Sequence, residues 1–562
     1  MVSTILLSTA VVVSAFVFSQ YRSLQRRIEE AKKSEFKYAI SPVYFQSIPW
    51  IILQNIFIPF LSRLPSKWTQ SWLPLSKWGE TWHEGYEPFK RMNDDSIMIV
   101  SAGGNILWTC DPEVIMQVST RRNDFVKPTE MLDMLNIYGP TITAAEGEEH
   151  RIFKKVASPS FNDKNFQAVW TGAIEQTEMM TQKWLDDSSV SDLNSDAAKL
   201  ALHVISKVFF GKTITWTEND TKPSPGHTLT YERAISTVFE YNSTIFLTPR
   251  PILNYSPLKI HKTAKEAFVE WRKYMEEMRD STAKDLQTHD MKEEGTLLEY
   301  FVKAGTPGLS SADLSIPEAA ILGNIFIFIL AGHETSANIF TYAVILLACR
   351  PDFQSSLQAE ISTIIGDRQP SQWSYKADFS KLINGHVGAL MKETLRLYTV
   401  LPFLPKINKT NEQSLRIGNQ THILPRDTLV MINTSATHRN PKYWSEIPKT
   451  HADTPSYPSS DFHPERWLRS SESKVYSPPE GAYIPFAEGH RSCPGQRFAQ
   501  AEFCAAITRL LSEFSVELIC EPGKDYVSTV QKVEKQLAHN TVFDMGLKMK
   551  HPVPLKIVRR KA

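Results

Sequence analysis

The chain has 562 residues, of which 42% are hydrophobic, and its basic and acidic residues nearly balance to a formal net charge of +1. The two signs of charge are mixed throughout, with no basic stripe, and this composition excludes a nucleic-acid partner. The length alone suggests several domains, but no Gly/Ser tract, charge block or internal repeat separates them. One large folded unit behind an N-terminal appendage is the simpler prediction.

The first segment with a clear pattern is the uncharged run ILLSTAVVVSAFVF, from Ile5 to Phe18. With its uncharged neighbours it is about as long as a membrane-spanning helix requires. Arg22, Arg26 and Arg27 follow directly, which predicts that this flank faces the cytosol. A cleaved signal peptide is the alternative, but the basic leader and small-residue cleavage site that it needs are not evident. We therefore predict a transmembrane anchor over residues 1–20.

Residues 21–70 are predicted to form a basic linker between this anchor and a main domain at 71–562. Within the linker, the apolar stretch PWIILQNIFIPFL (Pro49–Leu61) contains Gln54, Asn55 and two prolines. These residues disfavour a second span and predict a segment that lies in the membrane interface.

Apolar periodicity indicates that the main domain is mostly helical with a small β region. The predicted helices include Val169–Leu185, Ala197–Phe210 and Ala264–Arg279, and the predicted strands are Asp95–Gly103, Asn105–Cys110 and Asp427–Ser435. The segment TPRPILNYSPLKI (Thr248–Ile260) is predicted to be an apolar loop. It either packs on the core or dips into the membrane, and the anchor favours the membrane.

Polar residues interrupt one long apolar helical stretch at ILAGHETSANIF (Ile329–Phe340). Such residues are costly inside an apolar helix unless they have partners or a function. Gly332 leaves a gap in the helix wall, while Glu334 and Thr335 offer an ionisable group and a hydroxyl that could relay protons. The alternative is a helix kink in which Thr335 bonds back to a carbonyl, and both interpretations can hold together.

The segment FAEGHRSCPG (Phe486–Gly495) surrounds one of only five cysteines with glycines, an arginine and a proline. The five are widely spaced and include no CxxC pair, which disfavours a disulfide framework or a zinc site. Gly489 and Gly495 allow backbone torsions and close approaches that side chains forbid. An amphipathic helix is predicted from Gly495 to Phe514, so Cys493 lies at a helix N-terminus, where the dipole favours negative charge.

These features indicate that Cys493 is a thiolate ligand of heme iron, with Arg491 paired to a heme propionate. The alternative is a buried structural cysteine in a Gly-rich turn. The pattern F-x-x-G-x-R-x-C-x-G, which begins here with Phe486, resembles the heme-binding loop of the cytochrome P450 superfamily. The resemblance implies that Phe486 shields the sulfur and that Gly489 and Gly495 leave clearance for the porphyrin.

Further motifs resemble the same family in the same order. Ala331, Gly332, Glu334, Thr335 and Ser336 match its oxygen-binding helix, [AG]-G-x-[DE]-T-[TS]. KETLRL then matches its E-x-x-R pair with Glu393 and Arg396, and FHPERW supplies Arg466. The family's pattern implies that these last three residues form a structural triad that supports the heme loop.

The resemblance also assigns residues to the substrate and to the propionates. Ala331, Val400, Leu401, Phe403 and Leu404 are expected to line the substrate pocket, with plain core packing as the alternative for the apolar side chains after the E-x-x-R helix. Lys406 stands where the family often places a propionate-binding base. In GEEHRIFKK, His150 and Lys154 replace the family's tryptophan and arginine, and they bind the propionates or are simply solvated.

From about Tyr44 to the C-terminus, the resemblance implies a mainly α cytochrome P450 fold with a small β region, formed as a single heme domain behind a transmembrane helix. The implied activity is that of a heme-thiolate monooxygenase, which inserts one atom of O2 into a lipophilic small molecule. Heme b and electrons from NADPH through a cytochrome P450 reductase, with cytochrome b5 as an additional donor, are implied with it. The implied location is the endoplasmic reticulum membrane, with the catalytic domain in the cytosol.

The general character of the sequence resembles fungal members that modify secondary metabolites such as terpenoids and polyketides. Two alternatives are a P450 that rearranges or dehydrates its substrate without external oxygen and a heme protein that only binds a ligand or passes electrons. The intact pair Glu334–Thr335 argues against the first, and the apolar pocket segments argue against the second.

Overall fold

The computed structural model describes residues 2–216, 222–288, 295–309, 314–445, 457–468 and 476–560. Helices make up most of this part of the chain. The α-helices are α1 (Val2–Ser34), α2 (Ile48–Leu61), α3 (Ser66–Thr69), α4 (Thr81–Glu84), α5 (Glu87–Met92), α6 (Pro112–Thr120), α7 (Thr129–Leu132), α8 (Gly147–Ala157), α9 (Asp163–Asp186), α10 (Leu193–Phe210), α11 (Tyr231–Glu240), α12 (Asn242–Leu247), α13 (Arg250–Tyr255), α14 (Lys259–Thr288), α15 (Leu297–Gly305), α16 (Glu318–Cys349), α17 (Pro351–Ile365), α18 (Tyr375–Ile383), α19 (His386–Leu397), α20 (Thr434–Thr437), α21 (Pro441–Trp444), α22 (Gln496–Glu513) and α23 (Tyr526–His539).

The strands are short, as the sequence predicts, and they form one larger sheet and three antiparallel two-stranded sheets. They are β1 (Lys37–Ile40), β2 (Ser96–Ser101), β3 (Gly104–Thr109), β4 (Leu404–Ile407), β5 (Gln413–Ile417), β6 (Gln420–Leu424), β7 (Leu429–Ile432), β8 (Phe514–Leu518), β9 (Thr541–Asp544), β10 (Gly546–Met549) and β11 (Leu555–Arg559). The sheet order is β1-β2-β3-β7-β4, and the pairs are β5–β6, β8–β11 and β9–β10.

In the five-stranded sheet, β1–β2 and β3–β7 are parallel, while β2–β3 and β4–β7 are antiparallel. Trp108 of β3 lies opposite Met431 of β7, which lies opposite Pro405 of β4. Proline has no N–H for a ladder and is tolerated here because β4 is an edge strand. This register places Lys406, next to Pro405, opposite Val430.

Helix ends explain why the helices run beyond their predicted bounds. Periodicity predicts a helix over Val169–Leu185, but α9 begins at Asp163, where the Asn162 side chain accepts the N–H of Asn165 as an N-cap. α10 begins after Asp192 in the same way and ends at Gly211, which adopts the left-handed conformation with φ 66°.

The core surrounds α16, which is buried along most of its length. α10, α14, α15, α19 and α22 all pack against it. A helix that is covered on every side is apolar all round, which accounts for the unbroken apolar run in its sequence. Among the described residues, α16 is the one helix long and apolar enough to cross a membrane, and most of its apolar window is buried, as in a core helix of a folded domain.

The N-terminal helix α1 runs without a break through the boundary predicted at residue 20. Its 33 residues are about 50 Å long. Val11–Phe18 are exposed, while the second half packs on the sheet, where Ser23 donates to the carbonyl of Ala102 and Ala31 is buried. The first part of the predicted linker is therefore helical and docked. The anchor role of residues 1–20 stays a prediction.

Two apolar segments differ in their outcomes. The predicted interfacial stretch is helix α2, which leaves Ile52, Ile56 and Phe57 exposed. The predicted loop Thr248–Ile260 instead contains α13 and the start of α14. The prediction of a loop was wrong because this segment can bury one side of a short helix. Leu253 of α13 is buried in the core, whereas Ile252 and Tyr255 of the same helix are exposed.

Candidate active site

A cavity of about 1600 Å³ lies between α16 and Phe486–Gly495, the cysteine segment. This volume exceeds the ~300–1,000 Å³ of an ordinary single-ligand pocket. Its walls also include α8, β4 and the hairpin formed by β9 and β10. The cavity has room for a large planar group and a second molecule together.

On the α16 wall, a stripe of accessible residues faces the cavity. Ala331 is exposed, and Glu334, Thr335 and Asn338 are half-buried, although the helix around them is buried. These positions are three and four residues apart and therefore share one helix face. The polar interruption predicted from the sequence is thus the face that α16 presents to the cavity.

Thr335 and Gly332 both take part in helix packing. The Thr335 hydroxyl donates to the carbonyl of Ala331 at 2.6 Å, the back-bonded arrangement considered from the sequence. A Cβ at position 332 would lie 2.3 Å from Cδ1 of Ile205 on α10. The gap at Gly332 is therefore filled by α10, and Ala331 is the small residue with an open face toward the cavity.

Glu334 forms an ion pair with Lys548 of β10, in the hairpin of β9 and β10. Its Oε1 lies 3.6 Å from Nζ of Lys548, and Lys548 also contacts Asp544 Oδ2 at 2.6 Å. Burial raises the pKa of Glu334 to about 7, against the opposing effect of the Lys548 ammonium. A carboxyl with such a pKa gains and loses a proton near neutral pH.

The cysteine segment is a turn that the glycine at 489 makes possible. The N–H of Cys493 donates to the carbonyl of Phe486 at 2.8 Å. Gly489 has φ 72°, and a Cβ there would lie 2.3 Å from the Ser119 carbonyl oxygen. Gly495 has neither a positive φ nor a close contact, since its nearest neighbour, the Cys493 sulfur, is 3.8 Å away. A clearance role for Gly495 toward a cofactor stays a prediction.

Cys493 is exposed to the cavity although protein surrounds it. Burial raises the pKa of the Cys493 thiol, and the N–H of Gly495 opposes that shift. Helix α22 begins three residues later, as predicted. Among the described residues no charged side chain shifts the pKa of the Cys493 thiol, so an electrophilic metal is the partner that would stabilise the thiolate.

Beside the cysteine segment, three cations converge on one carboxylate. Arg491 binds Glu146 Oε2 at 2.7 Å and donates to the Ala145 carbonyl at 2.6 Å, while its Nε is buried without a hydrogen-bond partner among the described residues. Burial, together with Arg491, lowers the pKa of Lys127 to about 7, and burial lowers that of Lys406 to about 8. The cluster has more positive than negative charge and suits a ligand with carboxylates.

His150 and Lys154 both lie on the cavity side of α8. Burial, with Arg491 and Lys127 nearby, lowers the pKa of His150 to about 3, so the imidazole is neutral and has one N–H donor and one acceptor nitrogen but no charge. Lys154 Nζ donates to the carbonyl of His490 at 2.9 Å. Lys154 thus braces the cysteine segment, and direct contacts of either residue with propionates stay predictions.

The structure brings Glu393, Arg396 and Arg466 together, with all three side chains fully buried. Arg396 donates to Glu393 from Nε at 2.8 Å and Nη2 at 2.9 Å, and Arg466 Nε donates to Glu393 Oε1 at 2.9 Å. The backbone N–H of His463 and the indole N–H of Trp467 also donate to the Glu393 carboxylate. Burial raises the pKa of Glu393, but the two arginines outweigh it and hold the pKa below its ordinary value.

Hydrogen bonds connect this triad to the cysteine segment. Arg396 Nη1 donates to the His438 carbonyl at 2.8 Å, and the Ile484 N–H donates to His438 Nε2 at 2.9 Å. Ile484 stands two residues before Phe486, at the entry to the turn. The triad therefore fixes the position from which the cysteine turn starts.

The family model for cytochrome P450 matches residues 62–529.

The chain belongs to the cytochrome P450 family.

A cytochrome P450 monooxygenase from Arthrobotrys oligospora is 28% identical over 561 residues, which cover 93% of each chain. The monooxygenase prx9 of Penicillium rubens is also 28% identical and covers 95% of this chain and 94% of its own. A P450 monooxygenase of the phomenoic acid biosynthesis cluster of Leptosphaeria maculans is 26% identical over 79% of this chain and 78% of its own. The predicted family, enzyme class and likeness to fungal members are confirmed.

The residues of this P450 fit the heme that the family implies. Cys493 supplies an accessible sulfur at the cavity wall, and the cluster of Lys127, Lys406 and Arg491 supplies the excess positive charge that two propionates would neutralise. The buried, unpartnered Nε of Arg491 is one donor left for such a ligand. Phe486 lies at the same wall.

The predicted substrate residues of this P450 all line the cavity: Ala331, Val400, Leu401, Phe403 and Leu404. Leu401 is exposed there, whereas Phe403 is mostly buried among Phe45, Trp108 and Phe543. Phe403 therefore serves core packing as well as the cavity wall, in line with the alternative considered from the sequence. Direct contact of these residues with a substrate stays a prediction.

Sequence reasoning missed two ionisable residues that line the cavity, Lys127 and Glu502, and a third, Lys548, that pairs with the cavity residue Glu334. Lys127 and Lys548 come from segments distant in sequence from the groups that they face, and no local pattern marks them. Glu502 is different, since an acid inside the apolar run FAQAEFCAAI of α22 is the same signal that drew attention to Glu334. Its carboxyl is buried and lines the cavity.

Proposed function

We propose that this P450 inserts oxygen into a lipophilic small molecule that reaches its cavity from a membrane. The observation that carries the proposal is the extent of the cavity, which reaches from Cys493 to α2 and α12. Ile48 and Ile51 of α2 and Phe246 and Leu247 of α12 line this part of the cavity. A largely apolar path of this kind suits an apolar substrate.

Exposed apolar side chains surround the same region. They are Ile48, Ile52, Leu53, Ile56, Phe57 and Phe60 on α2, and Leu247, Ile252, Tyr255, Leu258 and Ile260 between α12 and α14. Apolar groups of this kind mark contact with a membrane or another apolar surface. Together with the exposed Val11–Phe18 of α1, they support a single-pass anchor in the endoplasmic reticulum membrane with the catalytic domain in the cytosol.

Heme b is the group that we propose for the site, with Cys493 on its iron and Lys127, Lys406 and Arg491 toward its propionates. When bound, it supplies the reductive activation of dioxygen, with electrons that come from NADPH. The family implies a redox partner, and we propose NADPH–cytochrome P450 reductase with cytochrome b5 as an additional donor. Lys155 and Arg122 are exposed. They follow Lys154 and Ser119, which contact His490 and Gly489 of the cysteine segment, and they favour an acidic docking partner on that side.

The chain's own residues orient the substrate and hold protons. Ala331, Val400 and Leu401 offer apolar contacts along the cavity and exclude water from the reacting region. Glu334, with a pKa of about 7, holds a transferable proton beside the hydroxyl of Thr335. Monooxygenation consumes protons because one oxygen atom of dioxygen leaves as water.

Fungal secondary metabolites such as terpenoids or polyketides are the proposed substrate class. The likeness to a relative from a biosynthesis cluster supports this proposal. The test is turnover by the full-length protein with reductase and NADPH, a lipophilic fungal extract and isotopically labelled dioxygen. We expect the label in one oxygen of the product. Product formed without label would contradict the proposal and favour a rearranging P450, and heme binding without turnover would favour a binding protein.

A further inference from the structure

The accessible face that α16 presents to the cavity consists of four residues with different partners. They are Ala331, Glu334, Thr335 and Asn338. Ala331 is apolar. Glu334 is paired with Lys548, and the Thr335 hydroxyl donates to a backbone carbonyl. The Asn338 amide is half-buried and has no hydrogen-bond partner within the described chain, so its donors and its acceptor are free for another molecule.

The Asn338 side chain lies beside two other elements of the cavity wall. A Cβ at Gly546, in the hairpin of β9 and β10, would lie 3.9 Å from Nδ2 of Asn338 and 3.3 Å from Cγ1 of Val400. The Leu547 N–H donates to the Val400 carbonyl at 3.0 Å, which ties this hairpin to the segment after α19. The amide therefore meets the cavity where α16, the hairpin and Val400 converge.

The position of Asn338 along α16 relates the amide to Thr335. Three residues of an α-helix span about 4.5 Å along the axis, and their side chains point about 60° apart. A molecule that lies along this face and reaches Thr335 therefore also passes the Asn338 amide.

The amide discriminates between two kinds of bound molecule. A hydrocarbon at this place would displace water from the amide and return no hydrogen bond, which costs affinity. A molecule with a carbonyl or hydroxyl oxygen there would accept an N–H from Nδ2 of Asn338.

We propose that Asn338 is a specificity-determining residue, whose amide hydrogen-bonds an oxygen that the substrate already carries. The substrate class is then an oxygenated lipophilic molecule, with a hydroxyl or carbonyl group on an apolar skeleton, and not the bare hydrocarbon. A reaction that leaves oxygen on that skeleton must precede the step of this P450. The inference rests on the proposed monooxygenase function and deepens it, since it assigns a polar group to the substrate.

The first measurement is the mass spectrum of the products formed from a fungal extract of hydrocarbons and oxygenated molecules with labelled dioxygen. We expect each labelled product to contain at least one unlabelled oxygen besides the label. A main product whose only oxygen is the label would overturn the inference, because its precursor is a hydrocarbon.

The second measurement compares variants of Asn338. Asn338→Leu removes the amide at nearly constant volume, and Asn338→Gln keeps an amide one methylene further out. Gln182→Leu, which loses an amide from the exposed surface of α9, is the matched control. Each holoenzyme is titrated, through its heme absorbance, with the molecule that the extract assay shows to be consumed and with analogues that each lack one of its oxygens.

We expect the wild type and Gln182→Leu to bind the consumed molecule about threefold to tenfold more tightly than one of these analogues, which is the contribution of one neutral hydrogen bond. Asn338→Leu should lose this preference, and Asn338→Gln should regain part of it. A preference in Asn338→Leu equal to that of the wild type would overturn the inference. So would a fall in kcat with unchanged Kd values, because the amide would then act in the reaction and not in recognition.

The two proposals fail in different ways. If the wild type forms no labelled product, the monooxygenase function fails and the role of Asn338 fails with it. If the wild type incorporates label and Asn338→Leu keeps the wild-type preference, only the role of Asn338 is overturned. Because the amide has no partner within the described chain, its loss should leave urea unfolding unchanged. If Asn338→Leu yields no folded heme protein, Asn338→Ala is titrated in its place with the same criteria.

Discussion

The buried triad allows a quantitative prediction for Glu393→Gln. The carboxylate accepts five hydrogen bonds, from Arg396 Nε and Nη2, Arg466 Nε, the His463 N–H and the Trp467 indole. Oε2 accepts two of these and Oε1 accepts three, so a glutamine NH2 group in either position would face at least two N–H donors.

The substitution therefore loses at least two charge-assisted hydrogen bonds and leaves two buried arginines without a carboxylate. Two such bonds contribute about 3–6 kcal/mol, which agrees with the ~3–5 kcal/mol for removal of one partner from a buried ion pair. We expect the free energy of unfolding to fall by about that amount, or ~10²–10⁴-fold in the folding equilibrium constant. This is a large part of an ordinary domain's stability.

Urea unfolding of the holoenzyme, followed by far-ultraviolet circular dichroism and heme absorbance, measures the change. Glu148→Gln is the control, because Glu148 and Arg151 have the same spacing on the exposed surface of α8. It should leave the transition unchanged. The folded-state pKa of Glu393 is lowered, so the stabilisation is present above the unfolded-state pKa of about 4.3 and is lost as the pH falls through the folded-state value. If Glu393→Gln unfolds like Glu148→Gln at neutral pH, the reasoning is refuted.

Three further predictions concern the cavity and its surroundings. Thr335→Ala should keep the heme absorbance but divert electrons to peroxide, measured as peroxide per NADPH, and unchanged coupling would contradict its role. Lys127→Gln should speed heme transfer to apomyoglobin several-fold because one propionate-binding cation is lost, whereas Lys155→Gln should not; equal transfer rates would contradict this. Ile52→Asp combined with Phe57→Asp should raise KM for a substrate supplied in vesicles several-fold with kcat unchanged, and an unchanged KM would contradict membrane entry.

Most residues of the candidate site could be predicted from local sequence patterns. Cys493, its glycines and the helix that follows lie within one short segment, and the accessible face of α16 repeats at helical spacing. Each pattern is set by neighbours within a few residues, so it can be read without the fold. The E-x-x-R pair and the PERW arginine were also identified, through their resemblance to a family pattern.

Contacts between distant segments could not be predicted in this way. Lys127 meets Arg491 and Lys406 only because the fold brings three separate segments to one wall. Lys548 reaches Glu334 from the C-terminal hairpin. The occupation of the Gly332 gap by Ile205 likewise depends on how α10 crosses α16. Periodicity within one helix carries no information about the partner that covers it.

The central claim is that Cys493 is the thiolate ligand of the heme iron. The most direct measurement is the absorption spectrum of the reduced holoenzyme with carbon monoxide, taken for the wild type, Cys493→His and, as the control, Cys520→Ser at the other exposed cysteine. The wild type and Cys520→Ser should show the strongly red-shifted Soret band of a thiolate complex, and Cys493→His should lack it. A red-shifted band that persists in Cys493→His would contradict the claim.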